Sequence, residues 1–259
     1  QNRKNRDSMR FHLVFLFSYI IISFLLADEP IALVTKSRGN AKHKISSENK
    51  FRSNAQVNTP IFQGDKIKTK SKSFNQIVYL DDQSTISIYP NTEITVYGTI
   101  ESRIISKQIN VTEGIVRVKV SNQITSEFEL TTPHSQLTCY KCDFWLISDI
   151  ITGDRFYKIS GNGFVINPSM IQTMELKNDT TILSLKDTII EIAPTSINES
   201  QYLELLMFDA GEIPEKSVET LTMHRKISDQ MTEITSNVVE IRLKNALKME
   251  RRIILTYTK

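Results

Sequence analysis

A chain of 259 residues, 40% hydrophobic and 24% charged, can bury the core of one large or two small domains, and its composition excludes a collagenous or low-complexity protein. The net charge of +3 belongs to the N-terminus: positions 1–27 hold four basic residues and one acidic, and taking them from the totals of 32 and 29 leaves 28 of each. A neutral remainder offers no electrostatic footprint for nucleic acid, which is excluded as a partner.

Arg3, Lys4, Arg6 and Arg10 lead into an uncharged run from Phe11 to Ala27, with Asp28 and Glu29 behind it. A basic head, an apolar middle and a small residue at its end are the parts of a secretory signal. Residues 1–27 are therefore expected to be a signal peptide. Leu25, two positions before Ala27, is larger than a cleavage site prefers, so an uncleaved anchor contacting the membrane through residues 11–27 stays open. The product is exported in either case, to the periplasm or anchored facing it.

From Ile31 to Ile192 the texture is of short half-buried strands. Ile86 and Ile88 alternate with Thr85 and Ser87, Val116, Val118 and Val120 with Arg117 and Lys119, and Phe128 and Leu130 with Glu127 and Glu129. Turn pairs such as Gly64-Asp65, Asp81-Asp82, Pro90-Asn91, Gly153-Asp154 and Asn167-Pro168 punctuate them. Many short, evenly spaced strands predict a mainly β domain over 28–192, a roll, short solenoid or sandwich. Phe144-Trp145-Leu146-Ile147 is apolar on both faces and reads as a central strand covered on each side.

The cysteines, Cys139 and Cys142, are the only two in the chain and lie in a strand-like stretch. In a regular strand, positions three apart face opposite ways, about 10 Å apart, too far to bridge. A disulfide would need a tight turn at Tyr140-Lys141. Two free thiols, or a redox or metal role, remain the alternatives. His134 and Ser135 are the only adjacent His/Ser pair, but strand neighbours face apart and form no dyad. No catalytic residue, metal site or cofactor is expected.

Beyond Ala193-Pro194 the pattern turns helical. Tyr202, Leu203 and Leu206 mark a helix over Asn198 to Met207, and Gly211 and Pro214 mark a break. Ile227, Met231, Ile234, Val238 and Ile241 recur at spacings of four and three, which predicts a long C-terminal α-helix within a helical region 193–259. That stripe is a candidate interface for a partner or for self-association.

Four segments resemble a known family: Phe62–Thr69 with its Gly-Asp-x-Ile-x-Thr turn, Ile77–Thr92 with a Leu-x-Asp-x-Ser-x-Ile hairpin, Val111–Val120 with Gly-x-Val, and Phe128–Pro133. Together, and in this order, they resemble the FecR domain of bacterial envelope proteins over about Ile31 to Ile147. The chain departs from its pattern at two places: Gln83 stands where the hairpin has Gly, and Lys141-Cys142 where Gly-Thr precedes the Phe144 strand. The resemblance implies a periplasmic sensory or binding role without enzymatic activity. The family's founding regulators carry a cytoplasmic anti-sigma segment before a membrane span and relay the occupancy of an outer-membrane iron transporter. With about ten residues before the apolar run, a stand-alone exported form is expected here, with a protein or peptidoglycan partner in the envelope and, as the alternative, an anchored signal relay.

Overall fold

The computed structural model describes residues 28–121, 127–192, 195, 197–211, 238–244 and 250–256. In chain order the strands are β1 (Ala32–Arg38), β2 (Ala41–Lys44), β3 (Ser53–Asn54), β4 (Pro60–Ile61), β5 (Lys66–Thr69), β6 (Phe74–Tyr79), β7 (Thr85–Ile88), β8 (Glu93–Glu101) and β9 (Ile104–Val120). They continue with β10 (Phe128–Thr131), β11 (Gln136–Asp149), β12 (Gly153–Asn167), β13 (Gln172–Glu175), β14 (Thr181–Leu185) and β15 (Thr188–Ile192). One helix, α1 (Ile197–Ala210), and a hairpin of β16 (Val238–Lys244) and β17 (Glu250–Thr256) follow. The mainly β architecture expected of residues 28–192 is what these residues adopt.

Strands β1 to β15 join in a single sheet, ordered β15-β14-β12-β11-β10-β9-β7-β6-β1-β4, with β13 on β12 and a branch β3-β2-β5-β8 returning to β9. The long strands carry this sheet around a core. Asp154, at the start of β12, is registered with Ser184, while Asn167, at its end, donates to the Ser184 hydroxyl at 3.1 Å. Thirteen extended steps would separate those ends by about 40 Å, so β12 must bend back on itself. β9 behaves alike: its first half pairs with β8 and its second with β7 and β11. The result is a roll.

Register explains the core. Ile88, Val116, Leu146, Phe156 and Ile182 are successive cross-strand partners, all buried on the inner face. Ile94, Val96, Ile109, Val111, Phe128, Leu130 and Val165 belong to the same cluster. Each such side chain stabilises the fold by about 1.5–3 kcal/mol. The run Phe144–Ile147 is central as expected: Phe144 and Leu146 enter this core, while Trp145 and Ile147 join a second cluster with α1.

The C-terminal expectation needs correction. Val238–Lys244 and Glu250–Thr256 are antiparallel strands, registered from Val238↔Thr256 to Lys244↔Glu250, so these two segments are not parts of the expected helix. Val238, Val239, Ile241, Ile253 and Ile254 are β-branched, and that preference outweighs the four-three spacing. Ile227, Met231 and Ile234 lie outside the described residues, as do the expected signal at 1–27 and the Pro194 break. Among the described residues no helix is long and apolar enough to cross a membrane.

Candidate partner-binding face

The motif residues of the strands support the roll from inside. Asp65 is fully buried and accepts from the Ser46 and Phe62 amides, both at 3.0 Å, and stands 2.8 Å from His43 Nε2. Its partners lie upstream in the chain, not two residues ahead as a simple turn would place them. The Asp81-Asp82 turn closes on another strand. Lys107 Nζ, fully buried, lies 2.6 Å from Asp81 Oδ2, 3.2 Å from Asp82 Oδ2 and 5.5 Å from the Tyr79 ring centroid. Gln83, where the family pattern has Gly, takes φ of 63°. The hairpin thus keeps a left-handed position and tolerates strain of about 1–2 kcal/mol there.

Tyr79 gives this buried group a pH signature. Burial first, and then the charges of Asp81 and Asp82, push its phenol well above the ordinary value of 10.0. Above about pH 10 the unfolded chain loses that proton while the folded chain keeps it, so stability must fall as pH rises, by up to about 1.4 kcal/mol per unit. Tyr79→Phe should remove this share of the alkaline slope, read as urea midpoints between about pH 9 and 11, while forfeiting about 1 kcal/mol for the hydrogen bond to the Tyr97 carbonyl. Parallel slopes in the two proteins would show that the phenol is hydrated in the folded state.

Cys139 and Cys142 are joined by a disulfide, with Cα atoms 6.2 Å apart. The device that brings them together is a β-bulge, not the turn at Tyr140-Lys141: both lie inside β11. Between Thr138↔Phe164 and Lys141↔Asn162, two residues of β11 oppose one of β12. That extra residue reverses the alternation, and both cysteines face the core. Gly161, at φ of 80°, makes room, since a Cβ there would stand 2.2 Å from the Lys141 carbonyl oxygen. Ser135 Oγ donates to the buried Asp154 at 2.7 Å, whereas His134 Nε2 lies 3.0 Å from the Ile150 carbonyl oxygen, so the two diverge. Among the described residues no three His, Cys, Asp or Glu side chains gather as a metal site would require.

The outer face of the sheet is different in kind. Lys36, Gln76, Ser87, Arg117, Trp145 and Tyr157 are successive cross-strand partners in one row that faces away from the core. One end of it is aromatic. Phe74 and Tyr89 meet edge to face at 5.3 Å, Tyr89 and Trp145 lie 4.8 Å apart, and Tyr157 sits beside Trp145 in register. Leu203 and Met207 of α1 bury themselves here, with Leu206 and Ala210 partly buried, an i, i+3, i+4, i+7 stripe. The other end is polar and cationic, a shallow groove of about 380 Å³ lined by Lys36, Gln76, Thr85, Ser87, Arg117, Lys119 and Gly211. Between them Arg117 makes a two-pronged contact with Asp143, at 3.0 and 2.8 Å, and reaches Met207 Sδ at 3.1 Å. Phe144–Ile147 announces this covered face in the sequence, but its aromatic partners come from strands up to 71 residues apart and carry no local signal.

No curated protein matches the chain. Among solved structures, one described as a candidate anti-sigma factor from Parabacteroides distasonis ATCC 8503, at 2.50 Å resolution, is similar at 15% identity with a TM-score of 0.44 over 54% of this chain. This chain spans 64% of that protein. A second structure of the same description and organism, at 1.65 Å, has 12% identity and a TM-score of 0.42 over 74% of this chain and 99% of its own. Residues 65–154 match the FecR protein family. That span runs from the buried Asp65 to the buried Asp154 and contains the bulged cysteine pair and most of the aromatic face, so the part of this chain that is similar to the FecR family is the segment 65–154.

Proposed function

We propose that this chain is a non-enzymatic binding module of the bacterial cell envelope, exported by residues 1–27 and presenting the outer face of its FecR domain to a protein partner. The observation that carries the reading is that face itself. A roll whose polar motif residues are occupied in holding its own backbone leaves its functional surface to the outer face, where the aromatic row lies under α1 and the cationic groove opens beside it. Aromatic and arginine side chains are those that supply most of the energy at protein interfaces. The apolar run Phe11–Ala27, with the large Leu25 near its end, supports a second reading, a membrane-anchored relay responding to the same partner.

Fractionation of a bacterium expressing the full chain, with a photo-crosslinking residue at Lys119, tests both. The module reading expects a periplasmic protein whose intact mass begins near Asp28, and a discrete envelope adduct that competes with unlabelled protein. A membrane-bound form that keeps residues 11–27 and still gives the adduct selects the relay. A cytoplasmic protein, or an exported one that gives no adduct, overturns the proposal.

A further inference from the structure

α1 covers the aromatic row in a way that no other element of the roll is attached. Strands β1 to β15 are tied to neighbours by backbone ladders, so none can leave without exposing a row of unpaired amides and carbonyls. A helix satisfies its own backbone. The 14 residues of α1 can therefore lift away at the cost of side-chain contacts alone, chiefly those of Leu203 and Met207.

The charges match in the same selective way. The helix sequence contains three acidic residues and no basic one, and its last turn lacks the cation that would complement its negative pole. The sheet supplies it: Arg117 reaches Met207, and the groove holding Lys36 and Lys119 is closed by Gly211, the first residue beyond the helix. The face thus meets an apolar stripe at helical spacing and the C-terminal end of a helix at the cationic groove, and the helix that it meets is acidic in composition.

From this we infer that the outer face is a helix-docking groove, that α1 is its resident occupant, and that an acidic amphipathic helix of a protein partner takes its place. The inference rests on the partner-binding reading and names the chemistry of the partner. Helix-in-groove recognition uses the same anchors at i, i+3, i+4 and i+7. Because α1 is tethered, it competes at high effective concentration, and a free partner must exceed it in contact or in charge.

The chain contains a single tryptophan, Trp145, so its fluorescence reads the groove directly. In the full chain carrying Leu203→Asp and Met207→Asp, Trp145 emission should shift to the red and its quenching by acrylamide rise several-fold. The far-ultraviolet strand signal should be retained. A synthetic peptide of residues 197–210, which has no tryptophan, should then restore the blue emission saturably; the same peptide with both aspartates should not. An emission unchanged by the double substitution, or a peptide that fails to restore it, overturns the inference. Recovery on raising the variant's own concentration, with dimer formation, overturns it too, since a second copy would then be the occupant. If the double variant loses its strand signal, a protease site inserted after Thr195 in the otherwise native chain supplies the test: after cleavage, the native peptide in excess should displace labelled α1, and retention of the label sinks the idea. The peptide arm needs no natural partner. Its failure removes the groove and leaves the binding module standing, whereas a bound peptide with no envelope adduct removes the module reading instead.

Discussion

Lys107→Ala should lower the unfolding free energy by about 3–5 kcal/mol, a large share of the 5–15 kcal/mol typical of a folded domain. The lysine side chain has no exposure, and its ammonium lies 2.6 Å from Asp81, 3.2 Å from Asp82 and 3.0 Å from the Ile105 carbonyl oxygen. Removing it leaves two carboxylates without the ammonium between them, one of them with a buried oxygen, Asp81 Oδ1, that has no hydrogen-bond partner. Breaking a buried ion pair from one side is costly, and a small cavity is added to that cost. Lys107→Met separates the two contributions, because it fills the volume but not the charge. It should be almost as harmful as alanine, and adding Asp81→Asn to it should recover part of the loss. Urea unfolding with an unchanged slope reads all three. A loss below about 1 kcal/mol in Lys107→Ala would mean that water replaces the ammonium, and the pair would then count as surface electrostatics.

Lys107 also shows what the sequence tells and what it hides. The alternation Ile105, Lys107, Ile109 puts the lysine on the core face by period two alone, and all three are buried. Its partners sit in a turn 26 positions earlier, and no local pattern links them. The same division runs through the fold. Strand existence, turn positions and the two-faced burial of Phe144–Ile147 are properties of neighbouring residues and were legible. The cysteine geometry was not, because one bulged residue reverses the parity on which any strand argument depends. The expected helix failed over Val238–Lys244 for a related reason. Val238–Lys244 satisfies a helical spacing through two of its residues and a strand alternation through Val239, Ile241 and Leu243, and short apolar runs do not choose between the periods. The aromatic row was legible one residue at a time and only the register assembled it.

Asp65→Ala should cost as much as the lysine, about 3–5 kcal/mol, and for a reason that assigns the Gly-Asp motif a structural role. The carboxylate is a hub between segments that share no ladder at that point. It receives the amide of Ser46, beyond β2, and the amide of Phe62, before β5, and stands against His43 within β2. His43 is itself registered with Ile67 of β5, so one buried anion sets how the loops on either side of this strand pair are held. Alanine strands two amides and an imidazole in a site with no exposure, and each orphaned group costs about 1–3 kcal/mol. Asparagine retains one acceptor oxygen and the volume, but turns an amide donor toward one of the partners, so Asp65→Asn should fall between the two. Hydrogen exchange locates the effect. Protection at Ser46 and Phe62 should drop in both variants before protection in β11 and β12 does, as local opening precedes global unfolding. A ligand-binding aspartate would behave in the opposite way: Asp65→Ala would then unfold at the native urea concentration and lose only the crosslinked partner, and the motif would have to be counted as part of the recognition surface.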